Sequence, residues 1–229
     1  ISVELADGIV TGDASVGTDT LRSIDLVTGT AFGDSFDATD FSNNSMNAGS
    51  AVGGDVNGTF NEFEGCGGDD IITGNGNTRI SYLHATSGVS VNLVTGEAVG
   101  DDSVGYDIFT GVNSVRGSYF NDALLGSDNP FNTFENFEGR GGNDFINGLG
   151  GFDRANYTFD DVGIAVYLAF GLVFGGANTG IDQLRSIEAI GGTELADNYY
   201  ADGFTASEDR KSTRLNSSHI TISYAVFCL

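Results

Sequence analysis

Short runs in which apolar and polar residues alternate recur along the chain and predict β-strands. The runs VSVNLV at 89–94 and IAVYLAF at 164–170 alternate in the way that half-buried strands do. A single apolar residue, Ile72 or Ile146, follows each of two glycine-rich turns and is expected to point inward. Since the chain contains 35 glycines and one proline, long helices are not expected. The pattern therefore predicts an all-β chain of short strands and turns.

The alternating runs belong to a longer segment that occurs three times. Its copies occupy residues 1–19, 89–107 and 164–182. Each copy continues into a run of the form D-x-[LF]-x-x-[IV], and residues 17–41 and 180–204 are identical at 11 of 25 positions without a gap. Such a long period is typical of arrays in which each repeat buries its apolar face against its neighbours. We expect repeat units at 1–63, 64–137 and 138–208.

The last 21 residues differ in composition from the rest of the chain. Segment 209–229 holds the only lysine, one of two cysteines and one of two histidines, and it has no glycine. It resembles a translated sequencing adapter, so we leave it out of the fold prediction. A genuine C-terminal strand is the alternative. Because the chain starts in mid-repeat, we expect it to be a fragment of a longer protein.

The chain is strongly acidic, with 32 acidic residues, nine basic residues and a net charge of −23. Nucleic acids and anionic membrane surfaces are therefore not expected partners, because binding to phosphates needs Lys and Arg. No apolar run reaches the roughly 18 residues of a membrane-spanning helix. The compact chain would also repel itself, and a divalent cation is the simplest way to offset that repulsion.

Catalytic chemistry finds little support in the sequence. Outside the tail, His84 is the only histidine, and no cysteine or second histidine lies at zinc-ligand spacing from it. The glycine-rich stretches lack the G-K-[ST] of a phosphate loop. Acidic pairs such as Asp69–Asp70 and Asp101–Asp102 are too abundant to indicate general acid–base work. We expect no enzymatic activity in this chain.

Two Gly/Asp-rich blocks carry the most specific signal. FEGCGGDDIITG at 63–74 and FEGRGGNDFING at 137–148 lie 74 residues apart, and the second continues as GLGGFDRAN at 148–156. They resemble the nonapeptide G-G-x-G-x-D-x-U-x of the RTX (haemolysin-type calcium-binding) repeat family. The resemblance covers about residues 1–208. It implies a right-handed parallel β-roll or β-solenoid with calcium ions bound between stacked turns.

The resemblance also implies which residues bind calcium, through carboxylates and turn carbonyls. These are Gly65, Gly67, Asp69 and Asp70 in one block, Gly139, Gly141, Asn143 and Asp144 in the other, and Gly148, Gly150 and Asp153 in its continuation. The second glycine of the motif is replaced by Cys66, Arg140 and Leu149, which puts the backbone shape of these turns in question. The first block continues as GNGNTRISY at 74–82, where Thr78 takes the place of the aspartate, so a site in this segment is expected to be weak or lost.

Ordinary turn chemistry is the alternative for all of these aspartates, since Asp next to Gly often hydrogen-bonds its own backbone. We favour metal binding for Asp70, Asp144 and Asp153. We favour plain capping for Asp34, Asp122 and Asp197, which occupy the N-D slot of the longer RTX-type repeat.

The resemblance implies a secreted, extracellular or cell-surface bacterial protein whose repeats fold when they bind calcium outside the cell. Neighbouring repeats of the parent chain are the expected partners, and the parent is expected to be an adhesin with a cell-surface or polysaccharide ligand. One alternative is the secretion and folding module of an exported lyase, epimerase or protease. Another is a metal-independent acidic solenoid.

Overall fold

The computed structural model describes residues 1–51, 55–130, 133–204 and 214–216. These residues form strands and turns with no helix, which confirms the predicted all-β class. The chain divides into an N-terminal unit, Ile1–Arg116, and a C-terminal unit, Gly117–Leu229. Of the predicted tail, only Arg214–Asn216 lies within the described residues.

The strands are short, apart from two of 11 residues in the N-terminal unit. That unit contains β1 (Ser2–Glu4), β2 (Ile9–Thr11), β3 (Thr18–Thr20), β4 (Leu26–Thr28), β5 (Ser35–Asp37), β6 (Asn61–Glu64), β7 (Ile71–Ser81), β8 (Ser90–Asn92), β9 (Glu97–Val99) and β10 (Tyr106–Arg116). The C-terminal unit contains β11 (Ala123–Leu125), β12 (Phe134–Glu138), β13 (Phe145–Asn147), β14 (Phe152–Asn156), β15 (Ala165–Tyr167), β16 (Leu172–Phe174), β17 (Ile181–Arg185), β18 (Ala189–Gly191), β19 (Asn198–Tyr200) and β20 (Arg214–Asn216).

Each of the three sequence copies folds as an antiparallel meander. The meanders are β1–β2–β3, β8–β9–β10 and β15–β16–β17. Their first turns place Gly8, Gly96 and Gly171 at φ of 66°, 69° and 62°. A Cβ at any of these glycines would collide with a backbone carbonyl in the third strand or, at Gly8, directly after it. Glycine is therefore required there for both its backbone conformation and its lack of a side chain.

Parallel pairing stacks successive strands and builds the core of each unit. In the N-terminal unit, β5, β7 and β10 align Phe36, Ile72 and Phe109. In the C-terminal unit, β11, β13 and β17 align Leu124, Ile146 and Leu184 in the same manner. All six side chains are buried, so the inward direction predicted for Ile72 and Ile146 is confirmed.

A second parallel column runs beside the first in each unit. Its buried members are Phe63, Ile80 and Val115 in the N-terminal unit, and Phe137, Ala155 and Ile190 in the C-terminal unit. The Phe36 and Phe63 rings lie 5.0 Å apart and join the two columns. Full burial of a side chain of this size stabilises the fold by roughly 1.5–3 kcal/mol, so the columns are the main source of stability.

The sheet is therefore mixed. Parallel pairs join strands both within and between the predicted repeat units, whereas antiparallel pairs lie inside the meanders, which the predicted parallel roll did not include. In the predicted tail, Arg214–Asn216 pairs in parallel with β18. No helix in the described part of the chain has the length and apolarity needed to cross a membrane.

Candidate functional site

Six turns share the pattern G-x-x-x-x-D, and we call them carboxylate turns. They span residues 29–34, 65–70, 117–122, 139–144, 148–153 and 192–197. In each of them the aspartate folds back over the first glycine, so a Cβ on that glycine would collide with Oδ2. The first glycine is therefore needed for the close approach of the carboxylate, and not for a positive φ.

In three carboxylate turns the second residue donates two hydrogen bonds to the carboxylate of the aspartate. These second residues are Thr30, Ser118 and Thr193. Their backbone N–H groups donate to Oδ2 of the aspartate at 2.5, 2.7 and 2.9 Å, and their hydroxyls donate to Oδ1 at 3.1, 2.8 and 2.8 Å. The aspartates concerned are Asp34, Asp122 and Asp197, for which we had favoured plain capping.

In the other three turns the second residue has a left-handed backbone. Cys66, Arg140 and Leu149 have φ of 67°, 72° and 60°, although an L-residue there costs roughly 1–2 kcal/mol. The turns thus keep the backbone that the missing second glycine would adopt. The aspartates of two of these turns, Asp70 and Asp144, are buried, and their Oδ2 atoms accept no hydrogen bond from the described residues.

The other oxygen of these aspartates binds a neighbouring turn. In the N-terminal unit, the Asp34 amide donates to Asp70 Oδ1 at 2.7 Å, and the Asp70 amide donates to Asp107 Oδ1 at 3.1 Å. The Tyr82 hydroxyl donates to Asp107 Oδ2 at 3.2 Å and ends the series. Buried carboxylates thus satisfy backbone donors that the parallel strands leave open.

The C-terminal unit repeats this series. The amide of Asp122 donates to Asp144 Oδ1 at 2.9 Å, and the amide of Asp144 donates to Asp182 Oδ1 at 2.9 Å. The Tyr157 hydroxyl donates to Asp182 Oδ2 at 3.0 Å. The sequence analysis missed Asp107 and Asp182, although each is the aspartate that begins the D-x-[LF]-x-x-[IV] run, 25 residues after a tyrosine.

The residues before Asp70 and Asp144 accept hydrogen bonds from strands later in the chain, whereas these two aspartates accept them from earlier turns. Asp69 Oδ1 accepts the amide of Tyr106 at 3.0 Å, and Asn143 Oδ1 accepts the amide of Ile181 at 2.8 Å. The backbone N–H of Asn143 in turn donates to Asn121 Oδ1 at 2.8 Å. The pairs Asp69–Asp70 and Asn143–Asp144, predicted as calcium ligands, therefore connect their turns to both neighbours by hydrogen bonds.

The third predicted carboxylate, Asp153, lies in a different column. It pairs in register with Glu135, and its amide donates to Glu188 Oε2 at 2.9 Å. All three acids are buried. In the N-terminal unit, the positions of Glu135 and Asp153 are taken by the neutral pair Asn61 and Thr78. Thr78 thus stands where the motif has an aspartate, and it brings no carboxylate to this position.

The predicted glycines occupy three kinds of position. Gly65, Gly139 and Gly148 are the first residues of carboxylate turns. Gly67 and Gly150 lie so close to oxygens of neighbouring turns that a Cβ would be 2.7 and 2.6 Å away, whereas at Gly141 the closest atom would be at 3.3 Å. Across the described residues, no three His, Cys, Asp or Glu side chains converge to hold a metal ion.

Buried negative charge dominates the electrostatics of both units. Among the described residues, 13 acidic side chains are buried and Arg116 is the one buried base. Burial raises the pKa of Asp70, Asp107 and Asp182 to about 7, and repulsion from neighbouring carboxylates adds to the shift. Burial and repulsion from Asp182 raise the pKa of Asp144 to about 9. Charging these groups in the folded chain is therefore unfavourable unless a cation accompanies them.

The buried carboxylate of Glu62 is paired with two arginines. Arg79 Nε donates to Glu62 Oε2 at 2.6 Å, and Arg116 Nη1 donates to Glu62 Oε1 at 2.6 Å. In the C-terminal unit, Arg154 Nε donates instead to the neutral Asn136 Oδ1 at 2.8 Å. The sequence analysis did not find this cluster, because its members are 17 and 54 residues apart.

In comparisons with known proteins, neither a protein-family model nor a curated protein matches the chain. The resemblance to the RTX repeat family therefore stays a prediction from the motifs.

Proposed function

We propose that this chain is a calcium-dependent structural segment of an exported bacterial protein, acting as a stalk or spacer of an adhesin-like parent. The repeats would continue as a β-roll or β-solenoid, and the proposal assigns no catalytic step to them. It rests on one observation: Asp70 and Asp144 each bury a carboxylate oxygen that accepts no hydrogen bond from the described residues. An anionic oxygen in such a position is costly unless a proton or a cation neutralises it.

Calcium suits these two oxygens better than other cations. It takes oxygen ligands in flexible geometry and accepts backbone carbonyls together with few carboxylates. The carboxylates of Asp70 and Asp144, with carbonyls of their glycine turns, would hold the ion. In the part of the chain that the structure describes, no three His, Cys, Asp or Glu side chains converge, which is compatible with such a carbonyl-rich ligand set. Bound calcium would supply positive charge to each unit and couple folding to the calcium concentration.

The test is a calcium titration of the 229-residue chain, followed by far-ultraviolet circular dichroism from a start in EDTA. We expect a β signal that grows with calcium and does not grow with the same concentration of magnesium. The double variant Asp70→Asn, Asp144→Asn should need at least tenfold more calcium. It should also hold more β structure in EDTA than the parent, because a buried amide is neutral without binding a proton or a cation.

The matched control is Asp13→Asn, Asp101→Asn, which removes two charges from exposed turns of the meanders. This control should titrate like the parent. A β spectrum that EDTA leaves unchanged, or a double variant with the calcium midpoint of the control, would overturn the proposal.

A further inference from the structure

A small open depression in the C-terminal unit combines aromatic and polar side chains. It is lined by Tyr119, Glu138, Arg140, Asn156, Tyr157, Phe159, Asp160 and Asn178. Two of its aromatic rings face solvent, Tyr119 with 51% and Phe159 with 60% exposure. Exposed rings beside polar groups are typical of sites that bind small ligands.

The polar groups of the depression are held in place. Arg140 Nη2 lies 3.2 Å from Glu138 Oε2, and the guanidinium carbon is 4.7 Å from the centre of the Phe159 ring. Asn156 donates to Glu138 Oε1 at 3.4 Å. The Tyr157 hydroxyl is fixed by Asp182 at 3.0 Å. The lining thus offers carboxylate, guanidinium and amide groups in a fixed arrangement.

The N-terminal unit does not repeat this lining. Where the C-terminal unit has Tyr119, Arg140, Phe159 and Asp160, the equivalent positions hold Ala31, Cys66, His84 and Ala85. The hydrogen bond from the buried tyrosine is kept in both units. Because both units fold with the same turns, the fold does not require the four side chains of the depression.

The charges in the depression select the ligand class. The positive charge of Arg140, whose guanidinium carbon lies over the Phe159 ring, disfavours a cationic ligand at this place. Glu138 and Asp160, together with the net charge of −23, disfavour phosphate and polyanions. A neutral ligand with many hydroxyls and an apolar C–H face meets both conditions. We propose that this depression binds one neutral pyranose unit of a polysaccharide.

Saturation-transfer difference NMR on the 229-residue chain in millimolar calcium tests the proposal. The probes are methyl pyranosides of glucose, galactose, mannose and N-acetylglucosamine. We expect at least one of them to receive saturation at its ring C–H protons. Phe159→Ala should weaken its binding roughly fivefold or more, because the exposed apolar surface of the ring is lost, and Tyr119→Ala should weaken it too.

The control is Phe170→Ala, which removes an equally large side chain of the same unit with 71% exposure outside the depression. Circular dichroism checks that each variant keeps the β signal. Phe159→His supplies the residue of the equivalent position, His84, if the alanine variant does not fold. Absence of binding by all four pyranosides, or equal weakening by Phe170→Ala, would overturn the proposal. Because the β signal is measured separately, a failure here is distinct from a failure of calcium-coupled folding.

Discussion

Three residues of the carboxylate turns adopt a backbone conformation that residues other than glycine normally avoid. Cys66, Arg140 and Leu149 have φ between 60° and 72° and occupy the same position of their carboxylate turns. Thr30 fills that position in another turn, has no positive φ, and donates two hydrogen bonds to Asp34. The same position therefore stores strain in one class of turn and forms a polar anchor in the other.

Replacing the strained cysteine by glycine should stabilise the protein. Cys66→Gly relieves a conformation that costs roughly 1–2 kcal/mol, and the greater freedom of glycine in the unfolded chain offsets roughly 0.5–1 kcal/mol of that gain. We expect the free energy of unfolding to rise by about 0.5–1 kcal/mol in urea titrations with calcium present. Thr30→Gly is the control and should lower it, since it removes a hydroxyl donor and relieves no strain. Destabilisation by both substitutions would contradict this account.

At the residue scale, the motif pointed to two aspartates that the structure buries, but it did not show their hydrogen-bond partners. The motif singled out Asp70 and Asp144, and it marked the slots of Cys66 and Arg140 as unusual. That the Asp70 carboxylate accepts the amide of Asp34, 36 residues earlier, depends on the register of parallel strands. Neither the motif nor the local turn chemistry fixes that register.

Between strands, a buried tyrosine completes each series of carboxylates. Tyr157 donates to Asp182 Oδ2 at 3.0 Å, and Tyr82 does the same for Asp107 at 3.2 Å. Both tyrosines and both aspartates are buried. Removing such a donor leaves a buried acceptor without its hydrogen bond, which costs more than the bond itself contributed.

Tyr157→Phe should therefore destabilise the chain by about 1–3 kcal/mol while the ring stays in place. Urea titrations followed by circular dichroism in calcium would measure the loss. The comparison variant is Tyr200→Phe, which changes a tyrosine of the same unit with 44% exposure and should alter the free energy of unfolding by less than about 0.5 kcal/mol. Equal effects of the two substitutions would show that the Asp182 hydrogen bond has no special weight.

The alternating pattern in the sequence predicted where strands lie, but it did not predict which strands pair. The runs at 89–94 and 164–170 contain β8 and β15, which are shorter than the runs themselves. The antiparallel meanders were not predicted, because the RTX resemblance implied parallel coils alone. Their turns depend on Gly8, Gly96 and Gly171 and on the close approach of a third strand, which no single turn motif shows.

For the whole molecule, the buried acids predict an unusual dependence on pH. The folded chain raises the pKa of Asp70, Asp107 and Asp182 to about 7 and that of Asp144 to about 9. Between the ordinary aspartate value of about 3.9 and these values, the folded state binds more protons than the unfolded state. Stability must therefore fall as pH rises through this range.

We expect the free energy of unfolding in EDTA to be several kcal/mol higher at about pH 5 than at about pH 8, since each unit of pKa shift corresponds to about 1.4 kcal/mol. Urea titrations at the two pH values measure it. Saturating calcium should reverse the trend, because the ion binds deprotonated carboxylates. A chain that is less stable at the lower pH in EDTA would contradict the assignment of buried, protonated aspartates.

The paired side chains of the turns have a consequence for how such proteins change in length. Asp69 accepts an amide from a later strand and Asp70 accepts one from an earlier turn, as Asn143 and Asp144 do. Each of these two turns carries an acceptor for both of its neighbours within two consecutive residues. Insertion or deletion of a whole repeat then leaves the same donors and acceptors facing one another. Recombination within such a gene can lengthen or shorten its product in fixed steps without creating an unmatched junction.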